Sequence, residues 1–269
     1  MSARQSISDS LARSTVRLDV EAGGEHRAGT GFFFQFTTPE GPVPALVANN
    51  RLVQGARLGR LHLPAAAGHR ATAPLVIEDF ESHWIPHPDP KIDLCVLPLT
   101  TLAYQASRAG VPLRHSVIDR QLIPGDVELQ SLAQVEEVLV LSYPAALRDS
   151  AHGQPVARRA ITATHPALPW NGSPEFLVDV PCPPGTPGAP VFLFNLGGYE
   201  TKSGGVRFGG IRVRLLGVLY GSPRPAAQAG DSAAPGTLVS LALAVSARNL
   251  LSFESALPDS DAAAALSSA

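Results

Sequence analysis

The chain carries two thiols, Cys95 and Cys182, and eight imidazoles, and their spacing narrows what they can do. Neither cysteine belongs to a Cys-x-x-Cys pair, and His62 and His69 stand too isolated for a ligand cluster. No metal site, redox motif or cofactor is therefore expected. The cysteines read as buried thiols in preference to a disulfide. More informative are two short glycine-containing tracts, Gly29-Thr30-Gly31 and Gly185-Thr186-Pro187-Gly188. Thr186 and Cys182 are the side chains in or near the second tract able to attack a carbonyl. Such chemistry also needs a base to take the proton, an acid to orient that base, and amide donors for the oxyanion. The remaining imidazoles include His83, His87, His152 and His165. His87, beside Pro88, reads as a loop or packing histidine, and Cys182 as a structural thiol.

The elements that must position these groups are strands. Gly and Pro number 24 and 25 in 269 residues, about 18% of the chain against a usual ~12%. Many short strands joined by tight turns follow from that. Strands are expected at Thr15–Val20, Gly29–Phe34, Ala45–Ala48, Arg60–Leu63, Leu75–Ile77 and Leu94–Leu97. A second series covers Val135–Leu141, Val156–Thr164, Glu175–Val180, Val191–Asn195, Arg212–Tyr220 and Leu238–Val245. A short helix is expected within Ser6–Ser14, capped near Ser8 or Asp9, and another within Leu102–Asp119. Thr38–Pro44 reads as a Pro-rich loop, Gly23-Gly24 and Trp170-Asn171-Gly172 as turns, and Phe32-Phe33-Phe34 as core. The Gly-rich stretch between Phe194 and Val213 reads as a hairpin.

Hydrophobic residues make up 45% and charged residues 16%, which suits a globular chain with a sizeable core. A net charge of −2 gives no electrostatic reason to expect nucleic acid or an anionic membrane as partner. The N-terminus lacks the apolar stretch of a secretory signal, and no run of 18 apolar residues exists, so a cytoplasmic location is expected.

Four segments in order resemble the trypsin-like (chymotrypsin-fold) peptidases, in particular a bacterial group without secretion signals. Gly29-Thr30-Gly31-Phe32-Phe33-Phe34 is similar to that family's GTGF strand. Leu46-Val47-Ala48-Asn49-Asn50-Arg51-Leu52-Val53-Gln54-Gly55-Ala56 resembles its LVTNxHVVxGA segment. Asp93-Leu94-Cys95-Val96-Leu97 resembles DLAVL, and Gly185-Thr186-Pro187-Gly188-Ala189-Pro190-Val191-Phe192 resembles GxSGxPVF. Tyr143-Pro144 and Leu216-Gly217-Val218-Leu219-Tyr220 add secondary similarity.

The resemblance implies an all-β fold of two antiparallel six-stranded barrels packed side by side. The first is expected in residues 10–120 and the second in 121–255, and the Ala-rich tail over 256–269 reads as flexible. The resemblance also implies a triad site in the crevice between the barrels. At the base position stands Arg51, and a guanidinium has no lone pair to accept a proton. At the nucleophile position stands Pro187, which has neither a hydroxyl nor a backbone N–H, so it also removes one of the two oxyanion donors and leaves Gly185. The acid position keeps Asp93. Two readings of Asp93 stand open: an ion pair with Arg51, whose guanidinium and carboxylate can meet bidentately, or a carboxylate that caps backbone amides. The implied function is that of a catalytically inactive homologue, a pseudoprotease binding a protein or an extended peptide. The alternatives are a peptidase with a remodelled site using Cys182 or Thr186, and a structural subunit of a larger assembly.

Overall fold

A computed structural model describes residues 6–63, 73–110, 115–223 and 240–257. The chain opens with helix α1 (Ile7–Arg13), whose N-cap is Ser6, its side chain accepting from the Asp9 amide. The cap therefore falls two or three residues earlier than expected, because Ser6 already stands in extended backbone and the helix begins immediately after it.

The first half contains β1 (Thr15–Ala22), β2 (Glu25–Thr38), β3 (Gly41–Ala48), β4 (Ala56–His62), β5 (Leu75–Glu78), β6 (Ile85–Pro86), β7 (Cys95–Pro98) and β8 (Ile118–Asp119). Helix α2 (Asn50–Val53) lies between β3 and β4, and α3 (Leu99–Ala109) follows β7. The sheet order is β5-β4-β1-β2-β3-β7-β6, with β8 added parallel to β2. This half supplies the first lobe of the two-lobed, mostly β architecture expected, as an eight-stranded sheet with an open path among the described residues and with β6 and β8 beyond the six strands expected. β8 finds a place because β2 is 14 residues long and outruns β1, leaving its far end free, while β6 pairs along β7.

The second half contains helix α4 (Asp126–Gln130) and strands β9 (Glu137–Ser142), β10 (Val156–Thr162), β11 (Glu175–Asp179), β12 (Pro190–Glu200), β13 (Val206–Gly221) and β14 (Leu241–Ser246). These six strands close into a barrel in the order β10-β11-β14-β13-β12-β9. The expected loop at Thr38–Pro44 is instead a tight hairpin. Pro42 and Pro44 fit within β3 because β7 pairs it only from Ala45 onward, which leaves one side of the proline stretch as an edge. Asp259-Ser260-Asp261, His69 and the start of the Leu238–Val245 segment lie outside the described residues.

Three apolar clusters explain why the strands read as unbroken apolar runs. Phe33 points into the interior of the first sheet with Leu18, Leu46 and Phe80. Its neighbours Phe32 and Phe34 point the other way, into a core shared with Leu141, Phe192, Leu215 and Phe253 of the second half. Val138, Val140, Val191 and Leu193 fill the closed barrel, while the intervening Leu139, Leu141 and Phe192 face the shared core. A strand buried on both faces has no polar alternation to display. No helix among the described residues is long and apolar enough to cross a membrane.

On β1, Arg17 Nε donates to Asp19 Oδ1 at 2.9 Å, and His62 Nε2 stands 2.9 Å from Oδ2 without hydrogen-bond alignment, which makes Arg17 the firmer partner. Burial pushes the Asp19 carboxyl upward, but His62 and Arg17 outweigh it and hold the group down at about 2. A carboxyl that ionises at lower pH when folded than when unfolded stabilises the fold above about pH 4, and that contribution is lost as pH falls toward 2. Asp19→Asn is expected to reduce stability at pH 7 by about 1 kcal/mol, a figure discounted because the pair is partly open to solvent. The difference from wild type should vanish near pH 2, as measured by urea unfolding at both pH values.

Candidate functional site

Helix α2 follows β3 without interruption and puts Asn49, Asn50 and Arg51 at the rim between the halves. Asn49 is the N-cap, yet its side chain does not cap the helix. Its Nδ2 instead donates to the Asp93 carbonyl at 2.9 Å, fixing the residue that enters β7. Asp93 then takes over the capping role, since its Oδ1 accepts the Arg51 amide at 2.8 Å. The second carboxylate oxygen accepts from Arg51 Nε, also at 2.8 Å. Both sequence readings of Asp93 hold at once, one on each oxygen.

The pair is neither a bidentate fork nor buried at both ends. Asp93 is 14% exposed but the Arg51 side chain is 59% exposed, and a single guanidinium nitrogen meets the carboxylate. The reason is that Arg51 reaches across the groove: Nη2 donates to the Tyr220 carbonyl of β13 at 3.1 Å, and the guanidinium lies 5.4 Å from the centre of the Tyr220 ring. Arg51 therefore bridges a loop of the first half and a strand of the second. The Tyr220 hydroxyl in turn donates to Glu175 at the start of β11. Burial, with the adjacent Glu175 carboxylate, pushes this phenol well above the ordinary tyrosine range. The phenol therefore stays protonated and acts as a donor.

Around these groups opens a cleft of about 760 Å³, lined also by His87, Lys91, Asp89 and Ser173. Neither Pro187 nor Gly185 is among its lining residues. Their loop is pinned elsewhere. The Thr30 amide donates to the Pro187 carbonyl at 2.8 Å, and Thr30 Oγ1 donates to the Gly185 carbonyl at 2.7 Å. The Gly188 amide donates to the Leu219 carbonyl at 2.7 Å. Arg51 and the Pro187 loop are thus tied to consecutive carbonyls of β13, those of Tyr220 and Leu219. Gly185 and Gly188 both sit at φ +90°, and a Cβ on Gly188 would lie 1.8 Å from the Thr30 carbonyl oxygen.

The other candidate nucleophiles lack activation. Thr186 is fully buried and its Oγ1 has no hydrogen-bond partner among the described residues. The Cys182 thiol is free and half-buried, less enclosed than expected, and burial pushes it up to about 11, away from thiolate. His87 is buried, with Nε2 against the Asn249 carbonyl at 3.0 Å and its ring edge-on to Phe253. His165 is likewise committed, to the Leu132 carbonyl and the Ala167 amide. No cluster of three metal-ligating side chains exists among the described residues. Sequence reasoning missed Glu175 and the role of Tyr220 as Arg51's partner. Tyr220 ended a recognised strand motif, but no spacing links it to Arg51, and Glu175 carries no local signal.

No family model matches the chain, and no curated protein matches it. Solved structures do. The HtrA-type protease AlgW with tripeptide is similar over 94% of this chain, with a TM-score of 0.50 and 15% identity. The chain spans 62% of the length of that AlgW structure. The catalytically inactive tobacco etch virus protease complexed with substrate is similar over 92% of this chain and 84% of its own, with TM-score 0.50 and 10% identity. An alanine mutant of the same viral protease reaches 97% and 85%, with TM-score 0.51 and 10% identity. The fold is that of the trypsin-like proteases. In this trypsin-like fold the open first sheet and the closed second barrel are the two lobes, and the Arg51–Asp93 pair stands at their junction.

Two substitutions probe this junction. Gly188→Ala must move Thr30 and should cost about 3 kcal/mol or more. Asp93→Asn keeps an acceptor but loses the charge, and should cost about 1–2 kcal/mol. Thermal unfolding of both variants, ranked against wild type, checks the order.

Proposed function

We propose that this chain is a trypsin-like protease homologue without hydrolytic activity, which uses the inter-lobe cleft to bind an extended segment of another protein. The observation that carries this reading is the Arg51 guanidinium, paired to Asp93 and donating to the Tyr220 carbonyl. In this reading Arg51 stands where the base would stand and Asp93 where its orienting acid would. Pro187 stands in place of the nucleophile, and Gly185 supplies the surviving oxyanion amide. A guanidinium can donate but cannot take a proton from an attacking hydroxyl. Removing either the base or the nucleophile from such a triad lowers turnover by roughly 10⁶-fold.

What the cleft retains suits recognition. Arg51 is well exposed and keeps donors to offer a peptide carbonyl, and Lys91, Asp89 and Glu175 give the walls charges of both signs. An extended segment laid along the cleft gains backbone hydrogen bonds without any need for a triad. AlgW is known with a tripeptide and the inactive viral protease in complex with its substrate, and their similarity in fold supports a peptide-binding use here.

Purified protein is expected to turn over a fluorogenic peptide library at the buffer rate and to take no label from a fluorophosphonate or iodoacetamide probe while folded. Capture of a partner from the native host should weaken at least about tenfold with Arg51→Ala, the loss of one charge-assisted contact. Peptide cleavage that Thr186→Ala or Cys182→Ala abolishes would overturn the reading.

A further inference from the structure

The hairpin of β12 and β13 runs well past the barrel it closes, and its two faces differ in kind. In the register of the pair, Phe194 lies opposite Val213, Leu196 opposite Ile211, Gly198 opposite Phe208 and Glu200 opposite Val206. Register shifts at Leu196/Gly198 keep these residues on one face. Near the barrel that face belongs to the shared core, with Val213 only 8% exposed. Farther out it is bare: Leu196 is 57%, Val206 58%, Ile211 66% and Phe208 86% exposed.

The opposite face is polar and anchored. Arg212 pairs with Glu136, donates from Nε to Asn195 at 3.0 Å, and stacks on the Tyr199 ring at 3.9 Å. Lys202 in the turn donates to the Gln130 carbonyl at 2.8 Å. These bonds hold the hairpin against the second barrel and keep the apolar face outward. None of the four bare residues lines the cleft.

We propose that this face is a self-association surface, on which two copies of the chain pair about a two-fold axis. Area and charge select a second copy. Four side chains at these exposures leave roughly 500 Å² of apolar surface open, at the upper end of what a monomer carries. Two such faces together reach about 1,000 Å², the lower bound of a specific interface. Ile7 of α1, 42% exposed and sharing a groove with Ile211 and Val213, extends the patch toward the shared core. At the turn end of the face Glu200 lies opposite Val206, and at the barrel end Glu137 pairs with Arg159 at 2.9 Å. A face with a slight excess of acid draws neither nucleic acid nor anionic lipid. Rotated onto itself, it can set Glu200 of each copy against Arg159 of the other.

Sedimentation velocity of the full chain across about 1–100 μM tests this. Wild type is expected to pass from monomer to dimer within that range, the weak end for an interface of this size. Phe208→Asp and Ile211→Glu are exposed and should leave the circular dichroism spectrum and Tm unchanged. Each should weaken association at least about 30-fold, because a symmetric interface carries every change twice. A wild type that stays monomeric throughout, or a folded double variant that still dimerises, overturns the proposal. A monomer that engages a different protein through Phe208 also overturns it.

Discussion

Thr30 is bonded to the second barrel at three points, and the junction of the two lobes is built around it. Its amide reaches the Pro187 carbonyl, its hydroxyl reaches the Gly185 carbonyl, and the same hydroxyl accepts the Tyr143 amide at 3.0 Å. Thr30 is fully buried, so none of these groups can turn to water instead. The close approach requires glycine at two places in the Pro187 loop. Gly188 faces the Thr30 carbonyl, and a Cβ on Gly185 would lie 2.2 Å from the Tyr143 carbonyl. The two glycine-containing tracts noticed in the sequence are thus the two halves of one contact.

From that contact the site follows. The Pro187 loop holds to Leu219, which leaves the next carbonyl of β13, Tyr220, turned to the Arg51 guanidinium. On the other side Asn49 and the α2 amide fix Asp93. The carboxylate is mostly buried, and its two oxygens are used by one residue, once through the backbone and once through the side chain. Truncating Arg51 would thus cost one of these bonds while the amide keeps the other. The pair orients more than it stabilises, because solvent around the exposed guanidinium screens its attraction to the carboxylate.

Much of the architecture was legible because its signals are local. The strand segments were found through apolar runs and glycine turns; Gly23 and Gly24, at φ +58° and +84°, close the two-residue hairpin expected of them. The pairing of Arg51 with Asp93 was legible through the resemblance. Sheet closure was not. Whether a sheet closes depends on strand lengths and on short additions such as β8, a two-residue strand without a pattern of its own. Arg51's exposure was hidden for a similar reason, since its second partner is a backbone carbonyl on β13, and carbonyls carry no sequence signature. Glu175 is placed only by the register of β11 on β14, a long-range fact.

The way the chain uses position 187 has a consequence for what that position tolerates. The surrounding bonds take from it an acceptor and nothing else: its carbonyl receives the Thr30 amide, while the neighbouring turn is closed by the Ala189 amide on the Thr186 carbonyl at 3.0 Å. A residue that brings no amide hydrogen and a restricted φ leaves that frame intact. The scaffold therefore asks this position for no donor, and an imino acid stands there without the loss of a bond.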